Sequence, residues 1–141
     1  MSFLASLIAV VTFIFVCIPK SSNNLAGEWL MISRITNADM KAYIGAEVQW
    51  KMFITECDNK IKGTAEKIKI NDIDLEYNQR TSLEFDGVIE KEKLFINYIE
   101  NGKSRKTSGI MEVVFRNDKF SGKFSQTASS AIGTVEGTKL N

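Results

Sequence analysis

Among its 141 residues the chain has no histidine. That absence removes Ser-His-Asp and Cys-His nucleophile systems, histidine-ligated zinc and the imidazole general base at one stroke. Cysteine is nearly absent too: of Cys17 and Cys57, only Cys57 falls in the part that reads as a folded domain. A thiolate zinc site and a disulfide internal to that domain are excluded, a pattern that fits a reducing compartment. The single proline, Pro19, precedes the domain, so no proline interrupts a strand ladder. Excess charge of either sign is also missing. Eighteen basic residues against 17 acidic ones leave a net charge of +1, which disfavours direct binding to DNA or RNA. The carboxylates Glu66, Asp72, Asp74, Asp86, Glu90 and Glu112 are scattered, with no calcium-loop spacing. No nucleophile, base and orienting group can be named together, so the chain reads as non-enzymatic, with no metal and no cofactor.

What is present begins with an uncharged run, residues 3–18, too apolar to face water on all sides. As a helix its sixteen residues would reach roughly 24 Å, slightly less than the hydrocarbon core of a bilayer. No Lys or Arg precedes the run, and no pair of small residues at the usual cleavage spacing follows it. Residues 1–19 therefore read as a retained hydrophobic anchor helix that makes the protein single-pass, with a bacterial inner membrane as the expected location. A cleaved signal peptide and lipidation at Cys17 are the alternatives. Lys20 lies just behind the run, and the positive-inside tendency places the domain on the cytoplasmic side. Residues 20–26 form a polar linker, and 27–141 form one domain, large enough to bury a core without staples.

The domain is punctuated by the polar pairs Asp58-Asn59, Asn71-Asp72, Lys91-Glu92, Asn101-Gly102 and Asn117-Asp118. Of these, Asn101-Gly102 is the strongest signal for a two-residue hairpin, because both positions of a type I′ turn need positive φ. The runs between them alternate with period two and predict strands near 27–35, 47–56, 60–70, 81–90, 94–100, 104–115, 119–126 and 132–140. Eight hairpin-linked strands with two free edges would aggregate, and closure removes both edges. The predicted fold is all-β: a small antiparallel up-and-down β-barrel of about eight strands behind one N-terminal hydrophobic helix. Gly63, Gly87, Gly109, Gly122, Gly133 and Gly137 lie inside the strand runs and predict bulges, corners or close backbone approach. Val48, Trp50, Met52 and Ile54 share one phase and predict the barrel interior, as do Leu83, Phe85 and Ile89, and Met111, Val113 and Phe115. The link 36–46 predicts a helical turn lidding one barrel end.

Gly27-Glu28-Trp29 opens the first strand, a long link follows, and then a downstream antiparallel meander. This arrangement resembles the calycin group of lipocalins, fatty-acid-binding proteins and avidins. The resemblance implies that Trp29 closes one end of the barrel, with Arg105 or Arg116 as its partner, and that the interior takes a lipophilic ligand. The domain is shorter than a typical lipocalin and shows no terminal helix.

Candidate ligand-binding residues follow from side-chain chemistry. Trp50 and Tyr98 offer aromatic surface, and Tyr98 adds a hydroxyl. Arg80, Arg105 and Arg116 can each grip a phosphate or carboxylate through a planar fork. Gln126 begins a polar tract, through Ser130, that could line a barrel mouth. Lys60, Lys62, Lys67 and Lys69 bracket the third run, either as an anion grip or as solvated edge protection. Three functions remain open: a membrane-tethered module binding a small molecule; a membrane effector whose barrel senses a nucleotide-type anion and works as a homo-oligomer; and a filled barrel serving a protein partner. The second layout looks like bacterial antiphage membrane effectors, which generally carry two membrane helices where this chain has one apolar run.

Overall fold

The computed structural model describes residues 23–140, so the apolar run 3–18, its expected helix and Cys17 lie outside the described residues. The described chain forms nine strands: β1 (Gly27–Asn37), β2 (Glu47–Cys57), β3 (Lys60–Ile70), β4 (Ile73–Asp74), β5 (Ser82–Glu90), β6 (Lys93–Asn101), β7 (Lys106–Arg116), β8 (Lys119–Gln126) and β9 (Ile132–Leu140). Each long strand pairs antiparallel with its sequence neighbour, and β1 pairs with both β2 and β9. The eight long strands therefore close into a barrel, and two-residue β4 merely extends the β3 hairpin.

The two ends differ. At one end Asp58-Asn59, Lys91-Glu92 and Asn117-Asp118 are tight two-residue connections, each with its first residue at positive φ. A backbone bond ties each turn to the neighbouring hairpin: Ile89 N to Asn59 O, Phe115 N to Glu92 O, and Lys139 N to Asp118 O. This is the closed end. The opposite, open end carries the longer connections 38–46, 71–81, 102–105 and 127–131.

The closed end is built around Trp29. Its indole Nε1 donates to Leu25 O at 2.8 Å, and its ring packs on Phe120 with centroids 5.3 Å apart. Leu25 and Trp29 are both fully buried. The segment ahead of β1 is clamped at this end, with Asn23 N and Leu25 N donating to the Glu56 carboxylate and Lys139 Nζ donating to Asn24 O. Gly27 sits at φ 134°, which a side chain would strain. The ring's neighbours are thus Leu25 and Phe120; Arg116 is exposed beside the β7–β8 turn, and Arg105 lies in the β6–β7 turn at the far end.

Of the three expectations for the strand glycines, close backbone approach is the one that holds most widely: a Cβ at Gly63, Gly122 or Gly133 would lie 1.9, 2.0 or 1.8 Å from a neighbouring backbone oxygen. Register shifts occur between Ile35 and Asn37 in β1, where Gly133 of β9 is the partner of Ile35, and between Gln49 and Trp50 in β2, where none of the six glycines pairs. Four glycines also face an aromatic ring directly across a strand pair: Gly63 with Phe85, Gly109 with Tyr98, Gly133 with Phe124 and Gly137 with Phe120. A Cβ at Gly63 would lie 2.4 Å from the Phe85 ring, and one at Gly137 would lie 2.1 Å from Phe120. Each ring folds over the bare backbone of its partner, so the room the glycines leave is filled with aromatic carbon.

Two local expectations are corrected. Asn101-Gly102 is not a two-residue turn: Asn101 still pairs with Lys106, and the turn runs over Gly102–Arg105, closed by Gly102 N to Arg105 O at 3.0 Å. The type I′ signature belongs to Asn71-Asp72, at φ 50° and 65°. The link between β1 and β2 does contain a short 3₁₀ turn, Lys41–Tyr43, but it buries none of its residues. Met40, Tyr43 and Ile44 face solvent, and the link leans on Ser129 through Asp39 N and Met40 N instead of lidding the opening.

Cys57 ends β2 and is disulfide-bonded. The sequence offers one other cysteine, Cys17. A bonded Cys57 removes the support that cysteine usage lent to a reducing compartment.

Candidate binding site at the open end of the barrel

From the closed end to mid-barrel the interior is hydrocarbon: Leu25, Trp29, Met52, Ile61, Leu94, Val113, Phe115 and Phe120 pack it without a polar group. Towards the open end the same inward phases turn polar. In β1, Trp29 and Met31 give way to Ser33; in β3, Ile61 and Ala65 give way to Lys67. In β6, Leu94 and Ile96 lead to Tyr98 and Glu100, and in β8, Phe120 and Phe124 lead to Gln126. A period-two strand cannot avoid this convergence, because residues two apart share a face.

These groups form two linked sets. Lys67 Nζ lies 2.8 Å from Glu100 Oε2, with both side chains about one-sixth exposed, and the same oxygen accepts from Thr81 Oγ1 at 3.2 Å. The Lys67 ammonium also sits over the Trp50 ring, 5.1 Å from its centroid. Trp50 is held in turn by its Nε1, which donates to Ser33 Oγ at 3.2 Å. Across the opening, Tyr98 OH donates to Gln126 Oε1 at 2.9 Å, its ring lying over Gly109. Burial, and then the nearby Glu100 carboxylate, push the Tyr98 phenol well above its ordinary range. That hydroxyl therefore works as a neutral donor. No buried side-chain polar atom among the described residues lacks a partner.

Between the two sets lies a cavity of about 90 Å³, lined by Ser33, Trp50, Lys67, Tyr98, Glu100 and Gln126 over a floor of Met31, Leu83, Met111, Phe124 and Val135. Ligand pockets for drug-sized molecules run to roughly 300–1,000 Å³, so this space suits a few heavy atoms or a few waters. A larger concavity, about 930 Å³, lies on the outer wall from β3 across β5 to β9, where Ile99, Ile110 and Ile132 stand among Glu84, Asp86 and Lys62.

Of the residues singled out from sequence, Trp50, Tyr98 and Gln126 come together at the open end. The arginines do not join them. Arg80 bonds Leu75 O and pairs with Glu66 at 3.3 Å on the β3–β5 connection, while Arg105 and Arg116 are exposed in or beside turns. Glu100 is the residue that sequence reasoning missed, and Lys67 entered it only as one of four lysines along the third run, not as a member of this set. Their phase was the available signal: Lys67 follows Ile61 and Ala65 at even spacing, and Glu100 follows Leu94, Ile96 and Tyr98. Among the described residues, no group of three or more His, Cys, Asp or Glu side chains could hold a metal, and no helix is long and apolar enough to cross a membrane. No protein-family model matches the chain, and no curated protein matches it either.

Proposed function

We propose that this chain is a non-enzymatic binding module of calycin type, tethered to a membrane by its apolar N-terminal run, which takes a small ligand at the open end of its barrel. The observation that carries the reading is the polarity of that end: the filled, apolar interior gives way there to a Trp, Tyr, Gln, Lys and Glu constellation around a cavity of about 90 Å³. Trp29 at the closed end and the closed eight-strand meander support the calycin type. The size of the cavity favours a compact polar molecule over an acyl chain or a nucleotide. The nucleotide-sensing reading has less support, since the three arginines stand apart from the cavity.

Only residues 19–22 separate the apolar run from Asn23, which Glu56 holds at the closed end. In the tethered reading the closed end faces the bilayer at a distance of roughly 13 Å or less, and the open end faces away. The disulfide at Cys57 supports a domain on the oxidising side of that membrane.

A second reading, a filled barrel serving a protein partner, draws on the outer concavity with Ile99, Ile110 and Ile132. A thermal-shift screen of the full chain in detergent separates the two. At about a hundred times its dissociation constant a ligand contributes about 2.7 kcal/mol, a shift of several degrees for a domain of this size. The expected result is a shift from small polar molecules that disappears in Trp50→Leu. Silence from every small molecule favours the protein-partner reading.

A further inference from the structure

We infer that the open end recognises a small alkylammonium ion, and that the molecule's own Lys67 occupies the place of that ligand. The inference rests on the small-ligand reading of this end and names the chemistry of the ligand.

The structure already holds one cation there. The Lys67 ammonium lies between the Glu100 carboxylate, at 2.8 Å, and the Trp50 ring, at 5.1 Å. An ammonium bound by a carboxylate and the face of an indole is the arrangement by which proteins hold alkylated amines. The fixed members of the set are the receptor groups. Trp50 is anchored through Ser33, Glu100 through Thr81, and Tyr98 through Gln126 and the bare backbone of Gly109. Lys67 is the flexible member: a compact charge on a four-carbon stem, rooted in the last regular stretch of β3 before its register shifts. Its exposure of 17% shows that it already touches solvent.

Charge points the same way. The titratable groups lining the cavity are Lys67, Glu100 and Tyr98, and the Tyr98 phenol is neutral. With Lys67 in place the cavity is neutral overall; with Lys67 turned to solvent it holds one unpaired carboxylate beside an aromatic face. An incoming anion would meet Glu100, whereas an incoming cation replaces Lys67 one for one. The cavity of about 90 Å³ beside the ammonium gives a ligand's N-alkyl groups room that the lysine does not use. Lys67 is thus a built-in competitor that keeps the affinity of the native chain low.

The test titrates tetramethylammonium and choline into the full chain at constant ionic strength, with tert-butanol as the neutral isostere and acetate as the anion, reading tryptophan fluorescence in wild type and Lys67→Met. The expected result is binding of both cations about tenfold tighter or more in Lys67→Met, lost again in Lys67→Met/Glu100→Gln. Cation affinity unchanged by Lys67→Met, or tert-butanol binding as well as tetramethylammonium, overturns the inference. Where the variant binds tert-butanol or acetate but neither cation, the ammonium inference falls and the small-ligand reading stands; where it binds no probe, the ammonium inference falls and the thermal-shift screen decides the small-ligand reading. Should Lys67→Met fail to fold, proton NMR of the wild-type chain decides. Saturating choline should move the ring-shifted Lys67 ε-methylene resonance towards its solvent position, and an unmoved resonance overturns the inference.

Discussion

Trp29 and Tyr98 are both aromatic, inward-facing and bonded through a polar tip, yet they govern different properties. Trp29 fills the closed end against Leu25 and Phe120, so Trp29→Ala removes a large ring from a site with nothing to collapse into it. A loss of about 3–5 kcal/mol is expected in denaturant melts, and one below about 1 kcal/mol would refute its role as the plug. Tyr98 governs pH response. Its phenol keeps its proton in the folded state above the ordinary value of 10.0, whereas the unfolded chain releases it there. The unfolded state then binds fewer protons, so this stabilisation is full below pH 10.0 and is lost as pH climbs towards the raised value. Melting temperature should fall more steeply above that pH in wild type than in Tyr98→Phe; equal slopes would refute the burial of the phenol. Trp50, Tyr98 and Gln126 were legible in the sequence because aromatic and amide groups invite a site reading. Glu100 is not legible in the same way, because a charged side chain suggests a solvated position unless its phase is followed along the strand. Lys67 is one of four lysines that bracket the third run, and of these only Lys67 lines the cavity.

At the scale of the strand, alternation sufficed to place all eight long strands to within about two residues at each end, since every long strand has one buried face. Turn geometry was less legible. The dipeptide rule favours Asn101-Gly102, but that strand pair keeps its ladder through Asn101 and Lys106, and the turn with positive φ at both central residues falls at Asn71-Asp72. The glycines carried a signal whose meaning depends on cross-strand partners, which a linear sequence does not display. Register supplies them, and four of the six glycines oppose aromatic rings. Gly137→Val is a direct check on this pairing, because its Cβ would lie 2.1 Å from the Phe120 ring that packs on Trp29. The strand conformation there is ordinary, so sterics alone should cost about 1–3 kcal/mol. Gly137→Val/Phe120→Leu should recover part of that loss. Additive losses in the double variant would show that the ring does not depend on the bare backbone.

For the whole molecule, the contrast between the two ends begins where the described chain enters the barrel. The Glu56 clamp on Asn23 and Leu25, the Lys139 bond to Asn24 and the disulfide at Cys57 all gather at the closed end. The polar constellation lies at the other end, so the proposed N-terminal tether would leave it unobstructed. Composition indicated a reducing compartment, because a single cysteine within the domain cannot bridge to itself. Cys57 is nevertheless disulfide-bonded, and the sequence contains one further cysteine, Cys17, ahead of the domain. The consequence is measurable. Denatured without reductant, the full chain should take up no maleimide, and after reduction its two cysteines should take up two. Labelling before reduction would return the domain to the reducing side, where the Lys20 flank first placed it. Absence of labelling supports the proposal of a domain on the oxidising side of the membrane.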